Sequence, residues 1–307
     1  MAVVLNPAAA RGRAGRQWPS LHAKLRAALG PFAVYESTAP GEERALAARA
    51  YGDGARHVIA VGGDGTVNGV LNGLLSCTPE RPGAPDWRLS TLPAGTGNDL
   101  SRALGVTDLD HAIARISARN EQWYDLLLAS CTGANGARST RAACAVVSWG
   151  AAAEISYRTS RSRILKRLGG RFSYYAVTLF VTLTYPNHEA DISVDDHDMP
   201  KLTHYTGLVC NLERLGGGMK LAPQTDPQDG SADLVLFEDI ARKDILLQPP
   251  SWLFEGKHIE HAKVAVFPGR TFRVDGPPAA RVDADGESIG RLPLEIEVAP
   301  HALPLIG

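Results

Sequence analysis

The sequence lacks most of the features that would place it at a glance. Its 307 residues hold only four cysteines, Cys77, Cys131, Cys144 and Cys210, widely spaced and with no C-x-x-C pair. That argues against a disulfide framework and fits reduced thiols in a cytoplasmic protein. No apolar run approaches the roughly 20 residues that span a bilayer. The first residues read directly as a strand, without the basic segment and long apolar core of a signal peptide. Neither charge is in excess, with 32 Lys+Arg against 33 Asp+Glu, so the broad basic footprint of a nucleic-acid binder is missing. Three familiar signatures are also absent: G-x-x-x-x-G-K-[ST], the H-R-D and D-F-G pair, and G-x-G-x-x-G. There are no internal repeats. Any bound phosphate would have to be held by a different loop.

What is present centres on residues 58–68. Val58, Ile59, Ala60 and Val61 read as a buried strand, followed by Gly62-Gly63-Asp64-Gly65-Thr66. Val67, Val70, Leu71, Leu74 and Leu75 then fall on one helical face. Strand, glycine turn and helix N-terminus together make an anion site: glycine permits positive φ and close approach, and first-turn N–H groups point at the ligand. Asp64 would repel a phosphate unless a cation lies between them, or unless it handles a hydroxyl. A tight turn with a helix cap would also account for these residues. A second turn strengthens the ligand reading. Residues 89–93 read as a strand and run into Ala94-Gly95-Thr96-Gly97-Asn98-Asp99, with a helix after it. Two such turns at the carboxyl edge of a parallel sheet would face one ligand.

Gly62 to Thr66, followed by Pro93-Ala94-Gly95-Thr96-Gly97-Asn98-Asp99, resembles the bacterial diacylglycerol kinase family of soluble lipid kinases, whose catalytic domain sphingosine and ceramide kinases share. Further matches follow in order: Asn6-Pro7, Gly216-Gly217-Gly218-Met219, Ala222-Pro223, Asp229-Gly230 and Asp285-Gly286-Glu287. The resemblance implies an ATP- and Mg²⁺-dependent kinase acting on a lipid hydroxyl, diacylglycerol or a sphingoid or ceramide-like relative. It implies nucleotide contacts from Asn6, Thr38, Gly62, Gly63, Asp64, Gly65, Thr66, Asn68, Gly95, Thr96 and Asn98. Asp64 would serve catalysis, and Glu287 would accept the hydroxyl proton. A structural Mg²⁺ would be held by the Asp229 side chain and by the carbonyls of Asp226 and Ser231. Read without the family, Thr38 is a helix cap, Asp285-Gly286 a hairpin turn and residues 226–231 an acidic loop. Two alternatives stand beside the lipid kinase: NAD kinase, which shares Gly-Gly-Asp-Gly, and a non-catalytic lipid or nucleotide binder on the same fold.

The rest of the chain fits two domains. Through residue 104 strands alternate with helices: strands at 2–5 and 32–35, helices at 18–29 and 42–51, with residues 8–15 as a basic loop. That pattern predicts a doubly wound, NAD-kinase-like α/β domain over residues 1–122. Strands then dominate, at 124–129, 142–148, 190–194, 206–210, 232–238, 263–267, 272–274 and 280–284, the last paired with 292–298. They predict a β-sandwich over 123–298 with one helical insertion, the tail 299–307 returning to the first domain as it does in the family. In the insertion, Arg158, Arg161, Arg163, Lys166, Arg167 and Arg171 precede Phe172, Tyr174, Tyr175, Leu179, Phe180 and Leu183. This is a candidate peripheral contact with an anionic membrane surface; a solvated basic helix followed by a core helix is the plainer reading. His258, Glu260 and His261 read as surface residues. The acceptor lipid and the oligomeric state, a homodimer included, are encoded in no short motif.

Overall fold

A computed structural model of the chain describes residues 1–78, 85–95, 97–133, 135–161, 170–249 and 251–307, with backbone only for 170–175. Two compact units divide it. One comprises Met1–Leu126, Gly216–Gly218 and Ala299–Gly307, the other Leu127–Leu215 and Met219–Val298.

The first unit is α/β. Strands β1 (Ala2–Leu5), β2 (Ala33–Glu36), β3 (His57–Gly62) and β4 (Arg88–Pro93) pair in parallel in the order β4-β3-β1-β2. All four residues of β1 are buried, as expected of a strand covered on both faces. Among the described residues five helices connect or follow them: α1 (Ala9–Leu29), α2 (Glu43–Gly52), α3 (Asp64–Leu75), α4 (Asp99–Ala103) and α5 (Leu109–Ser117). Ala10, Arg11 and Gly12 have positive φ, so regular helix in α1 begins only after Gly12. It still starts earlier than the periodicity of residues 18–29 suggests. Ala14 is buried, and a Cβ on Gly15 would lie 3.1 Å from Pro7, so small residues carry the first turn past the end of β1. Helices α2 and α3 also meet through glycine. A Cβ on Gly73 would sit 2.3 Å from the Arg44 carbonyl oxygen, a distance no packed side chain tolerates.

The second unit is a β-sandwich-like body. Strand β5 (Glu121–Thr132) leads into it, followed by β6 (Arg138–Ala143) and β7 (Val146–Gly150). Helices α6 (Ala151–Arg161) and α7 (Gly170–Thr184) form the expected insertion. Then come β8 (His188–Val194), β9 (His197–Asp198), β10 (Leu202–Cys210), β11 (Ala232–Glu238), α8 (Arg242–Leu246), α9 (Ser251–Phe254), β12 (Val264–Gly269), β13 (Thr271–Asp275), β14 (Arg281–Ala284) and β15 (Glu287–Ile306). Antiparallel pairing runs β12-β11-β10-β7-β14-β15, and β15 continues through β13 and β8 back to β10. The two faces close on a core that includes Trp149, Phe272, Leu234 and Leu294. The last residues of β15 lie in the first unit, with Leu305 beside Leu89 in parallel register.

Three expectations need correction. The strand read over 142–148 is two strands, because the N–H groups of Cys144, Ala145 and Val146 are all taken by the Asp285 carboxylate. Strand β14 pairs with residues 287–291 and not with 292–298, because Asp285-Gly286 closes a two-residue turn with φ of 49° and 88°. Residues 294–297 pair instead with β13. His258 is not on the surface. It is fully buried, stacked on Phe237 at 5.7 Å, with Nε2 2.9 Å from the Leu221 carbonyl oxygen.

Candidate functional site

Strand register sets the site in the first unit. Gly62 lies opposite Pro93, and Leu5 lies opposite Val61 and Glu36. The chain therefore leaves all four strands at one level of the carboxyl edge, where open α/β sheets bind ligands. Asn6, Ser37, Gly63 and Ala94 begin those exits.

The two glycine turns touch backbone to backbone. A Cβ on Gly95 would lie 2.4 Å from the Gly63 Cα, and one on Gly97 would lie 2.2 Å from Asp64 Oδ2. A Cβ on Gly62 would fall 2.2 Å from Thr66 Oγ1. None of Gly62, Gly63 and Gly95 has a positive φ, so close approach and not left-handed backbone is what these positions demand. The left-handed residue is Asn98, at φ 56°. Its Oδ1 accepts from Gly95 N at 3.0 Å and its Nδ2 donates to Gly95 O at 3.2 Å, which clamps the second turn.

Asp64 joins the turns. Its Oδ2 accepts from Asn98 N at 2.9 Å and its Oδ1 from Asp99 N at 2.7 Å. The repulsion expected between this carboxylate and a phosphate is thus offset by two N–H donors before any cation is considered. On the other side of the first turn, Thr66 Oγ1 accepts from Asn6 Nδ2 at 3.1 Å. That amide also donates to Glu43 Oε1 at 2.8 Å, and Glu43, itself buried, accepts from Gly41 N at 3.0 Å. Thr38 is exposed, and its N–H and Oγ1 donate to Glu42, which together hold the Glu42 carboxyl below its ordinary range. Asn68 is buried in α3 and accepts from Asn72 Nδ2 at 3.1 Å. Thr96 lies outside the described residues.

Two residues absent from the candidate set prove central. Glu43 ties the exits of β1 and β2 to Thr66 through Asn6. Asp99, 8% exposed, accepts from Gly216 N at 2.7 Å, Gly217 N at 3.2 Å and Arg102 Nη1 at 3.0 Å. Burial and the neighbouring Asp64 charge push its carboxyl up to about 6, against the opposing pull of those donors. The sequence offered one signal, an aspartate closing the second turn, but nothing local links it to glycines more than a hundred residues away.

In the second unit the Asp285-Gly286-Glu287 turn is held by carboxylates. Asp285 accepts from three backbone N–H groups, those of Cys144, Ala145 and Val146, at 2.8–2.9 Å. Asp283 is buried and accepts from Gly286 N at 2.9 Å and from Ser156 Oγ at 2.6 Å. Glu287 follows the turn as the first residue of β15 and is exposed. In the acidic turn, Asp229 Oδ1 accepts from the N–H and the hydroxyl of Ser231, both at 2.8 Å, and Asp226 Oδ1 accepts from Gln228 N. Among the described residues, no three His, Cys, Asp or Glu side chains gather as a metal cluster. The donor set the turn offers is one carboxylate with two backbone carbonyls, and oxygen-only donors suit Mg²⁺. Burial, and then the Asp229 charge, holds the nearby Asp233 carboxyl above its ordinary range.

A parallel-sheet unit with two glycine turns at one edge, continued in the same chain by a β-sandwich, defines the NAD-kinase-like class of two-domain proteins. Residues 1–129 match the diacylglycerol kinase catalytic domain, and residues 145–307, over half the chain, match the YegS C-terminal NAD kinase beta sandwich-like domain. The chain belongs to this diacylglycerol kinase family. A curated relative named diacylglycerol kinase, from Staphylococcus saprophyticus subsp. saprophyticus, is 27% identical over 296 residues, covering 95% of this chain and 90% of its own. One of the same name from Staphylococcus carnosus is 26% identical, covering 95% and 89%. In fold the chain is similar to a crystal structure titled as a putative diacylglycerol kinase from Bacillus anthracis str. Sterne, at 21% identity and TM-score 0.77, covering 99% and 96%. It is similar at lower score, 0.51 with 12% identity, to an NAD kinase from Archaeoglobus fulgidus in complex with ATP, covering 100% and 93%.

Proposed function

We propose that this chain transfers the γ-phosphate of ATP to the hydroxyl of a lipid of the diacylglycerol or sphingoid class. The observation that carries the reading is the level register of Gly62 and Pro93, with Asp64 drawing the N–H groups of the second turn toward the first. The glycine backbone of the first turn and the first-turn N–H groups of α3 offer donors to a polyphosphate without a P-loop, while Asp64 and Asn98 take up the N–H groups of the second turn and hold it alongside. Thr66, anchored by Asn6, sits at the floor of the first turn. Glu287, exposed at a hairpin tip, is assigned as the base that takes the hydroxyl proton. Mg²⁺, when bound, would neutralise phosphate charge, and a structural ion would sit on Asp229 with the carbonyls of Asp226 and Ser231.

A lipid acceptor requires contact with a membrane surface, and no helix among the described residues is long and apolar enough to cross one. The second unit exposes Leu179, Phe180 and Leu183 on α7, and Leu246 and Leu247 at the end of α8, which packs against α7. Arg158, which stacks over Phe180 at 5.1 Å, Arg161, Arg242 and Lys243 supply positive charge on the same helices or the next. This favours an anionic bilayer as the surface met. Of the basic stretch noted in the sequence, residues 162–169 and the side chain of Arg171 lie outside the described residues.

The test is a kinase assay with radiolabelled ATP against a panel of lipid extracts, with NAD alongside. Labelled lipid is the expected product. Labelled NADP would make the protein an NAD kinase, and no transfer to any acceptor would leave a binding protein on the fold.

A further inference from the structure

The Asp285-Gly286-Glu287 tip is built more heavily than a hairpin turn requires. One carboxylate, Asp285, already fixes it to the backbone of residues 144–146. A second, Asp283, is 3% exposed beneath the tip, and its two oxygens reach Gly286 N and Ser156 Oγ. Ser156 belongs to α6, which is tied to β14 by the Arg281–Glu154 ion pair at 2.9 Å and by Arg281 lying 3.4 Å over the Tyr157 ring.

The Ser156 hydroxyl has one proton but two acceptors in reach, Asp283 Oδ2 at 2.6 Å and Gly286 O at 3.1 Å. It can serve both ends only if Asp283 is protonated and donates to Ser156 Oγ, freeing the serine proton for Gly286 O. With Asp283 ionised, the serine proton goes to Asp283, and its negative charge adds to that of Asp285 beside Glu287. We propose that Asp283 and Ser156 are positioning residues that fix the hairpin tip and tune how tightly the Glu287 carboxylate holds a proton. The inference rests on the reading of Glu287 as the base only for its catalytic consequence.

Among the described residues, no basic side chain hydrogen-bonds Asp283; its partners are Ser156 Oγ and Gly286 N. Helix α6 brings Glu154, paired with Arg158 and Arg281; β15 brings Glu287 and Arg291; β6 brings Arg138 and Arg141; β7 brings no titratable side chain. Burial pushes the Asp283 carboxyl up to about 6, Ser156 and Gly286 pull it down, and the charges of Asp285 and Glu287 push it up again. The switch between the two hydrogen-bond states therefore falls at about pH 6.

The experiment follows the Glu287 carboxyl by ¹³C NMR across pH 3–8 in the full chain without substrate, beside the pH profile of kcat. In Asp283→Asn the Glu287 titration should move to lower pH by about half a unit, the scale for one charge acting through partly exposed surroundings. The acid limb of kcat should move with it. Ser156→Ala should alter the same midpoint, and Ser156→Thr, which keeps the hydroxyl, should restore it. The serine pair keeps the test informative if Asp283→Asn fails to fold. An unmoved Glu287 titration in these variants overturns the coupling, whatever the turnover. Full turnover in Glu287→Gln with the NMR shift intact removes the catalytic reading and leaves the coupling standing.

Discussion

Each unit of this protein carries an aspartate-glycine turn, and the two turns use the same device for opposite ends. Asp64 accepts two backbone N–H groups from a neighbouring turn, and Asp285 accepts three from the start of β7 and the residues before it. Beside each stapling aspartate lies a buried second one, Asp99 or Asp283, pushed up to about 6 chiefly by burial. In the first unit the staple takes up the second turn's N–H groups and holds that turn against Gly63, beside the N-terminus of α3, whose first-turn donors suit anions. In the second it leaves an exposed carboxylate, Glu287. The lesson is that Asp-Gly by itself reports a staple. What the staple presents, donors or an acid, decides the chemistry.

The largest effect should come from removing the presented group. Glu287→Gln is expected to lower turnover by on the order of 10²–10⁴-fold with ATP affinity unchanged, measured by steady-state kinetics and calorimetry. Wild-type turnover in that variant would break the comparison at once. Next come the staples themselves. Asp64→Asn turns an amide toward one donor and should cost about 1–3 kcal/mol of stability together with most ATP affinity. Asp285→Asn should cost a similar amount of stability, lose kcat and keep ATP affinity. Equal losses of ATP affinity in both variants would mean that the two staples do not divide the labour as described.

A single methyl offers a sharper probe of the contact between the two turns of the first unit. Gly95→Ala places a Cβ 2.4 Å from the Gly63 Cα, backbone against backbone, so the turns must part. Overpacking of this kind costs about 1–3 kcal/mol. Thermal melts should fall, and ATP binding should weaken further than the melt implies.

Asp99 makes a smaller, pH-dependent contribution. Its native carboxyl titrates at about 6 against an ordinary value of 3.8, so the folded chain binds this proton more tightly than the unfolded one. The stability it lends is full below about pH 4 and is lost as pH rises toward 6. Asp99→Asn should therefore flatten the fall of Tm between pH 4 and 6, and an unchanged slope would show that Asp99 does not titrate there. The smallest effect expected on the chemistry itself is that of Leu183→Glu with Leu247→Glu. The pair should abolish sedimentation with phosphatidylglycerol-rich vesicles and leave transfer to a short-chain, water-dispersed acceptor near wild type. Retained sedimentation would remove the α7–α8 face as the membrane contact.

Much of the first unit was legible because its signals are local. Four apolar residues bounded by glycine are a buried strand, and the period of Val67 to Leu75 is a helix. Glu43 was not legible, since a glutamate opening a helix looks like an ordinary first-turn acid until Asn6 and Ser37 close around it. His258 misled for the mirror reason. Polar neighbours in sequence suggested surface, and Phe237, Trp252 and the Leu221 carbonyl enclose it in space. In the second unit the strands were readable by alternation, but their partners were not, because register depends on where a turn closes.

The order of apolar runs, glycines and turn residues was enough to dictate an α/β body followed by a β-rich one and to mark both aspartate turns, because each of those signals is carried by neighbours along the chain. Which backbone groups each aspartate captures, and which second carboxyl is buried beside it, was decided by folding alone. The captured backbone groups lie dozens to more than a hundred residues from their aspartates, and only sheet register brings those N–H groups within 3 Å.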